Sequence, residues 1–176
     1  MKFIKEKKIV DNQAKVDIFS NIFSSVFFIG YIPRASGTFG SLFALLFFFI
    51  PNFSNLLIII PCTIIIFFIG IITSANMVKK YGDDPSVVVI DEVAGMWVTI
   101  IILKLLFLQT GNIGIIPLLI SFFAFRFFDI IKIFPVTFFD RMKNGFGIMT
   151  DDVMAGIYAG ISSGIILLIL KQFISY

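Results

Sequence analysis

What most constrains this chain is a succession of apolar runs. Leu56 to Met77, Val87 to Leu108, Ile115 to Phe134 and Asp151 to Ile174 are each long enough to cross a bilayer core as a helix. A fifth run, Phe39 to Ile50, covers roughly 18 Å at about 1.5 Å per residue, short of a core of about 30 Å. A soluble domain is about one quarter charged; this one is 14% charged and 59% hydrophobic. The pattern predicts an all-α integral membrane bundle with about five membrane segments. A basic tail over residues 1–15 precedes a single domain, 16–176. The 24 phenylalanines fit a genomic composition bias, and no function is read into them singly.

Two absences narrow the chemistry. The sequence contains no histidine, which excludes histidine nucleophiles, histidine bases and histidine-ligated metals. A metal would therefore need oxygen ligands, which favours a hard cation such as Mg²⁺. The single cysteine, Cys62, lies in an apolar run and cannot form an intramolecular disulfide. The net charge of +3 comes mainly from Lys2, Lys5, Lys7, Lys8 and Lys15, a tail suited to anionic lipid headgroups rather than nucleic acid. No apolar core with a small-residue cleavage site follows that tail, so it does not read as a signal peptide.

In chain order, Val16, Ile18, Phe19, Ile22, Phe23, Val26 and Phe27 recur at helical spacing, opposite Ser20, Asn21, Ser24 and Ser25. An amphipathic helix over 16–29 is expected, lying in the membrane interface or packed on the bundle. Residues 30–41 read as a glycine-rich loop that opens the short second segment. Such a loop either simply caps the helix or offers backbone N–H groups to a phosphate, with Ser36, Gly37 and Thr38 as candidates. The turns 51–55 and 109–114 carry no charge, whereas the tail with Arg34, the 79–86 turn (with Ser86 as N-cap) and the 135–150 loop are basic or mixed. That alternation predicts a cytoplasmic N-terminus, with Lys104 and Lys171 snorkelling outward.

On this topology the acids converge. Asp91 and Glu92 fall about one turn inside their helix, Asp129 near the end of the next, and Asp151 and Asp152 at the mouth of the last. All five share one membrane face with the 37–41 stretch. Acids in such positions are costly and point to function unless cations pair with them. Arg126 and Asp129, three apart on one helix, fit plain pairing; Asp91, Glu92, Asp151 and Asp152 have no cation within a turn of their own helices. Close acids repel unless a cation sits among them, so the five are read as a metal-carboxylate cluster. Gly156, Gly160 and Gly164 form a ridge continuing Asp152, and Gly95 follows Asp91 by four; small residues at this spacing bring helices together. A carboxylate-held Mg²⁺, with Arg126, Lys132 and Arg141 to neutralise phosphate, suits hydrolysis of a phospholipid headgroup.

At these residues the sequence resembles the phosphatidylglycerophosphatase A family. The matching blocks are GTFGS (37–41), DEVAGMW (91–97), RFFDIIK (126–132) and GFGIMTDDVMAG (145–156). The resemblance implies an all-helical fold and Mg²⁺-dependent conversion of phosphatidylglycerophosphate to phosphatidylglycerol in a bacterial inner membrane. Ser36 stands where the family often has proline, and Ile133 interrupts its Lys-Pro-aromatic-Pro pattern, changes that touch loop geometry and no charged group. Two other readings compete. A CDP-alcohol phosphatidyltransferase would need a D-G-x2-A-R motif that is absent. A cation transporter would need polar groups continuing into the outer half, which is nearly all apolar.

Overall fold

The structure, a computed structural model, describes residues 16–83, 85–108 and 113–174. The expected tail 1–15 and most of the expected turn 109–114 lie outside these residues. The described chain is all-helical: α1 (Ile18–Ser24), α2 (Ser36–Leu46), α3 (Leu56–Tyr81), α4 (Ile90–Leu103), α5 (Ile115–Ile131), α6 (Val136–Asp140) and α7 (Gly145–Ile174), with no strand among the described residues. Two helices, α3 and α7, are long and apolar enough to cross a membrane, and α2 with its 3-10 extension (Ser36–Phe49) is a shorter apolar one. The count of five full spans is therefore not reached on length alone.

The helices begin and end where specific groups dictate, and several ends depart from the sequence-based expectation. The N-terminal amphipathic helix stops at Ser24, because Val26, Phe27 and Phe28 turn through positive φ (47°, 53° and 70°). That turn is fastened by Ser25, whose hydroxyl donates to the Asn21 carbonyl and accepts from the Phe28 amide. The amide of Val89 then donates to the Ser24 carbonyl at 2.9 Å, docking the 85–89 segment under the end of α1. Helix α1 is also inverted relative to a soluble amphipathic helix. Ser20 and Ser24 are buried, Ser20 accepting from Asn76 of α3, whereas Ile18 and Phe19 are 78% and 60% exposed.

Helix α2 starts at Ser36, so Gly37–Ser41 form its first turns rather than a loop. Helix α3 runs on through Lys79 and Lys80 to Tyr81, absorbing the first three residues of the expected charged turn. Helix α4 begins only at Ile90, after an irregular Val87–Val89 stretch, so Asp91 and Glu92 occupy its first turn and Ser86 is no N-cap. Beyond Leu103 the chain continues as a π-helical turn, Lys104–Leu108. Helix α7 starts at Gly145, six residues before Asp151. Asn144 caps it, its side chain accepting from the Gly147 amide at 2.8 Å.

The core forms where α4 is gripped from several sides. Its contact with α7 is the most extensive in the fold, and the expected glycine ridge carries it. A Cβ on Gly156 would strike the Gly95 carbonyl, and one on Gly95 would meet Phe125 and the Asp152 carbonyl. The two backbones touch, which places the start of α7 beside the start of α4. Trp97 packs edge-on against Phe47 and Phe53 and donates to the Ala44 carbonyl, fixing α2 along α4. Lys104 does not snorkel: it is 4% exposed and donates to the Ser54 carbonyl at 2.6 Å, tying α4 to the 51–55 turn. Lys171 is exposed, as expected. Much of the remaining apolar surface faces outward, including Phe68 and Ile72 of α3 and Phe123, Phe127 and Ile130 of α5.

Candidate active site

The starts of α2, α4 and α7, the end of α5 and the 85–88 stretch meet at one end of the bundle. Between them lies a cavity of about 300 Å³ whose lining includes Ser36, Gly37, Asp91, Glu92, Arg126, Asp129, Lys132, Asp151 and Asp152. All five acids expected from the sequence are thus brought together, with two of the three expected cations. Thr38 and Arg141 do not line the cavity, and Arg141 is exposed.

The five acids are not equivalent. Asp91, Glu92 and Asp152 each turn one carboxylate oxygen to a common point, the three lying within 4.8 Å of one another. Asp129 and Asp151 stand outside that group and face cations. Arg126 Nη1 lies 3.0 Å from Asp129 and 3.8 Å from Glu92. Lys132, which caps α5 in a left-handed conformation, sits 2.8 Å from Asp151 and 2.7 Å from Asp140 of α6. Cations therefore do reach Glu92 and Asp151, from other elements. No ion pair reaches Asp91 or Asp152 among the described residues.

The three-carboxylate group has unmet capacity. Glu92 Oε2 and Asp152 Oδ2 are buried without a hydrogen-bond partner among the described residues. Buried acceptors left open beside other carboxylates are costly, and clustered carboxylate oxygens are the donors a hard divalent cation takes. Two cations, Arg126 and Lys132, line the same cavity. Burial disfavours the Lys132 ammonium, but Asp151 and Asp140 outweigh that and hold its pKa above the ordinary lysine value. The first turn of α2 adds polarity of the same sign. Its N-cap, Ala35, has no side chain to satisfy the leading amides, and Ser36 is committed to the Ser86 carbonyl at 2.9 Å.

Local sequence explains why α2 comes so close. A Cβ on Gly37 would collide with Glu92 Oε1 and crowd Arg126 Nη1, and one on Gly40 would press on Val89. Four residues after Gly37, Ser41 is fully buried and accepts from Arg126 Nη1 at 3.3 Å. Neither Ser41 nor Asp140 was among the residues expected from the sequence. For Ser41 the signal was available, since it shares a helical face with Gly37 inside one motif. For Asp140 there was none, because its link to Lys132 depends on how the chain turns at 133–135.

The family model for phosphatidylglycerophosphatase A matches residues 22–167. The chain belongs to the phosphatidylglycerophosphatase A family. That makes it an enzyme, a phosphoric monoester hydrolase. A Haemophilus influenzae protein named phosphatidylglycerophosphatase A is 36% identical over 133 residues, covering 74% of this chain and 77% of its own. The Escherichia coli protein of the same name is 33% identical over 139 residues, 78% of this chain and 75% of its own. A Bacteroides thetaiotaomicron protein named "Putative phosphatidylinositol-3-phosphatase" is 36% identical over 136 residues, 74% and 82%. No solved structure matches the chain. As a phosphatidylglycerophosphatase A homologue, the chain carries its cavity where the four motif blocks meet. Behind the acids, Met96 and Ile100 of α4 and Phe125 of α5 are fully buried.

Proposed function

We propose that this protein is a lipid phosphatase that removes the terminal phosphate of phosphatidylglycerophosphate, giving phosphatidylglycerol, with Mg²⁺ bound by Asp91, Glu92 and Asp152. The observation that carries this reading is a single cavity lined both by carboxylates with open oxygens and by Arg126, Lys132 and the start of α2. A cation held there would polarise a phosphoryl oxygen and ease deprotonation of the attacking water. Arg126 and Lys132 bind the remaining phosphoryl oxygens and offset charge as the P–O bond to the lipid alcohol breaks. Asp129 and Asp151 hold those two cations in place. The first-turn amides of α2 orient the phosphate as a helix N-terminus orients an anion. A carboxylate of the cavity takes the proton from water, and the departing glycerol oxygen gains one from solvent.

The substrate is presented by a membrane. The outward apolar faces of α3, α5 and α7 and the exposed rings of α1 suit lipid, and the open end of the cavity sits at the headgroup level. We place that end on the cytoplasmic face of the bacterial inner membrane. Arg34, Lys79, Lys80, Arg141 and Lys143 cluster there, and the 51–55 turn at the other end is uncharged. In a Cys62→Ser background, Asn144→Cys should then be labelled only from the cytoplasmic side and Asn52→Cys only from the outside; the reverse pattern would invert the topology.

The direct test measures phosphate release by the full chain in detergent or vesicles, with Mg²⁺ and with a chelator. Phosphatidylglycerophosphate should be hydrolysed only with the metal, and no release from any lipid phosphate would sink the proposal. Phosphatidylinositol 3-phosphate belongs in the same assay, because one relative of equal identity is named for it; faster turnover of that lipid would move the substrate and leave the site as described.

A further inference from the structure

The GTFGS block of α2 is usually read through its glycines, as backbone free to approach a phosphate. The geometry points to a different job for its last residue. Arg126 Nη1 carries two protons and meets acceptors from three helices: Asp129 on its own α5 at 3.0 Å, Ser41 of α2 at 3.3 Å, and Glu92 of α4 at 3.8 Å. Its Nε is buried with no partner among the described residues. The protein thus grips this guanidinium by one nitrogen, in a side chain that lines the cavity.

Ser41 is the one neutral member of that grip, and its orientation is fixed. Its single proton goes to the Gly37 carbonyl at 2.9 Å, so only lone pairs remain for Arg126. The hydroxyl is fully buried. Asp129 alone would let the guanidinium swing along α5, as an i,i+3 pair on a flexible side chain does. Contacts from other helices limit that freedom, and of these Ser41 at 3.3 Å is nearer than Glu92 at 3.8 Å. Gly37 completes the arrangement, since its missing side chain is the space that Arg126 Nη1 and Glu92 occupy.

We propose that Ser41 is a positioning residue that aims Arg126 at the phosphoryl group, which makes α2 part of the phosphate clamp through a side chain. The inference rests on the phosphatase reading above. Ser41→Ala should lower kcat/KM for phosphatidylglycerophosphate roughly tenfold and raise the inhibition constant of inorganic phosphate by a similar factor. Ser41→Cys, close in volume but a weak acceptor, should do the same. In an Arg126→Lys background, where the fork to be aimed is gone, neither change should have a further effect on either constant. A purely structural Ser41 would give equal losses in both backgrounds, and that result, or wild-type constants for both variants, overturns the assignment. Wild-type protein that releases no phosphate defeats the phosphatase reading itself; active wild type with indifferent Ser41 variants defeats only the role of Ser41.

Discussion

Two buried charged places lie at opposite ends of the bundle, and burial alone does not tell them apart. Lys104 and Asp152 are each 4% exposed. Lys104 ends on the Ser54 carbonyl, a short hydrogen bond that closes α4 onto the 51–55 turn. Asp152 turns a carboxylate oxygen to Asp91 and Glu92, and its Oδ2 meets no hydrogen-bond donor among the described residues, beside a cavity of about 300 Å³. A charge in an apolar setting is read as functional by default, and Lys104 shows why that default needs a second criterion. What separates a site from an anchor is bonding capacity left open next to space.

The comparison can be broken by substitution. Asp91→Asn and Asp152→Asn should each lower phosphate release by at least about a hundredfold. Their melting temperatures in detergent should hold or rise, because each change relieves repulsion among crowded acids. Activity and folding lost together would place these acids with Lys104 as structural groups. Gly37→Ala should come next, costing roughly ten- to a hundredfold in kcat/KM, since its Cβ takes the space of Glu92 Oε1; an active alanine variant would show that the α2 contact is slack. Lys104→Met should behave in the opposite way. It leaves the Ser54 carbonyl without its donor and destabilises by about 1–3 kcal/mol, with turnover near wild type; a thermal melt beside an activity assay reads both.

The smallest effect concerns pH. Burial lowers the Lys132 pKa, but Asp151 and Asp140 more than reverse this, so its folded value lies above the ordinary 10.5. A raised pKa contributes stability fully below the unfolded value and loses it only as pH climbs through the folded one. The melting-temperature difference between wild type and Lys132→Met should therefore stay flat from neutral pH to about 10. A decline within that range would mean that the two carboxylates do not hold the ammonium charged.

The site was largely legible in the sequence because charge is expensive among apolar residues, so each acid that survives there needs a reason. Asp91, Glu92, Asp129, Asp151 and Asp152 could be placed at one end of the bundle from run lengths alone. Their division of labour could not. Lys132 reaches Asp151 across 19 residues, and only the turn that follows α5 makes the two neighbours. Helix starts misled for a related reason. GFGIMT has poor intrinsic helix propensity, yet Gly145 is needed where α7 presses on the Ile71 carbonyl of α3, and Asn144 supplies the cap. In α1 the spacing gave a helix that in fact ends at Ser24, and it gave no direction; burial of Ser20 and Ser24 shows which face turns inward.

The outward face of α3, α5 and α7 asks very little of the residues that occupy it. Phe68, Ile72, Phe123 and Ile130 need only be greasy, so nucleotide drift can exchange them freely among a few codons. Gly95 and Gly156 have no such liberty, a backbone carbonyl standing against each, and at Gly37 a side chain would push the Glu92 carboxylate aside. Freedom to vary is therefore greatest on the outward faces and least where helices meet at their glycines. Chains that agree at only about one position in three can on these terms still build the same chamber.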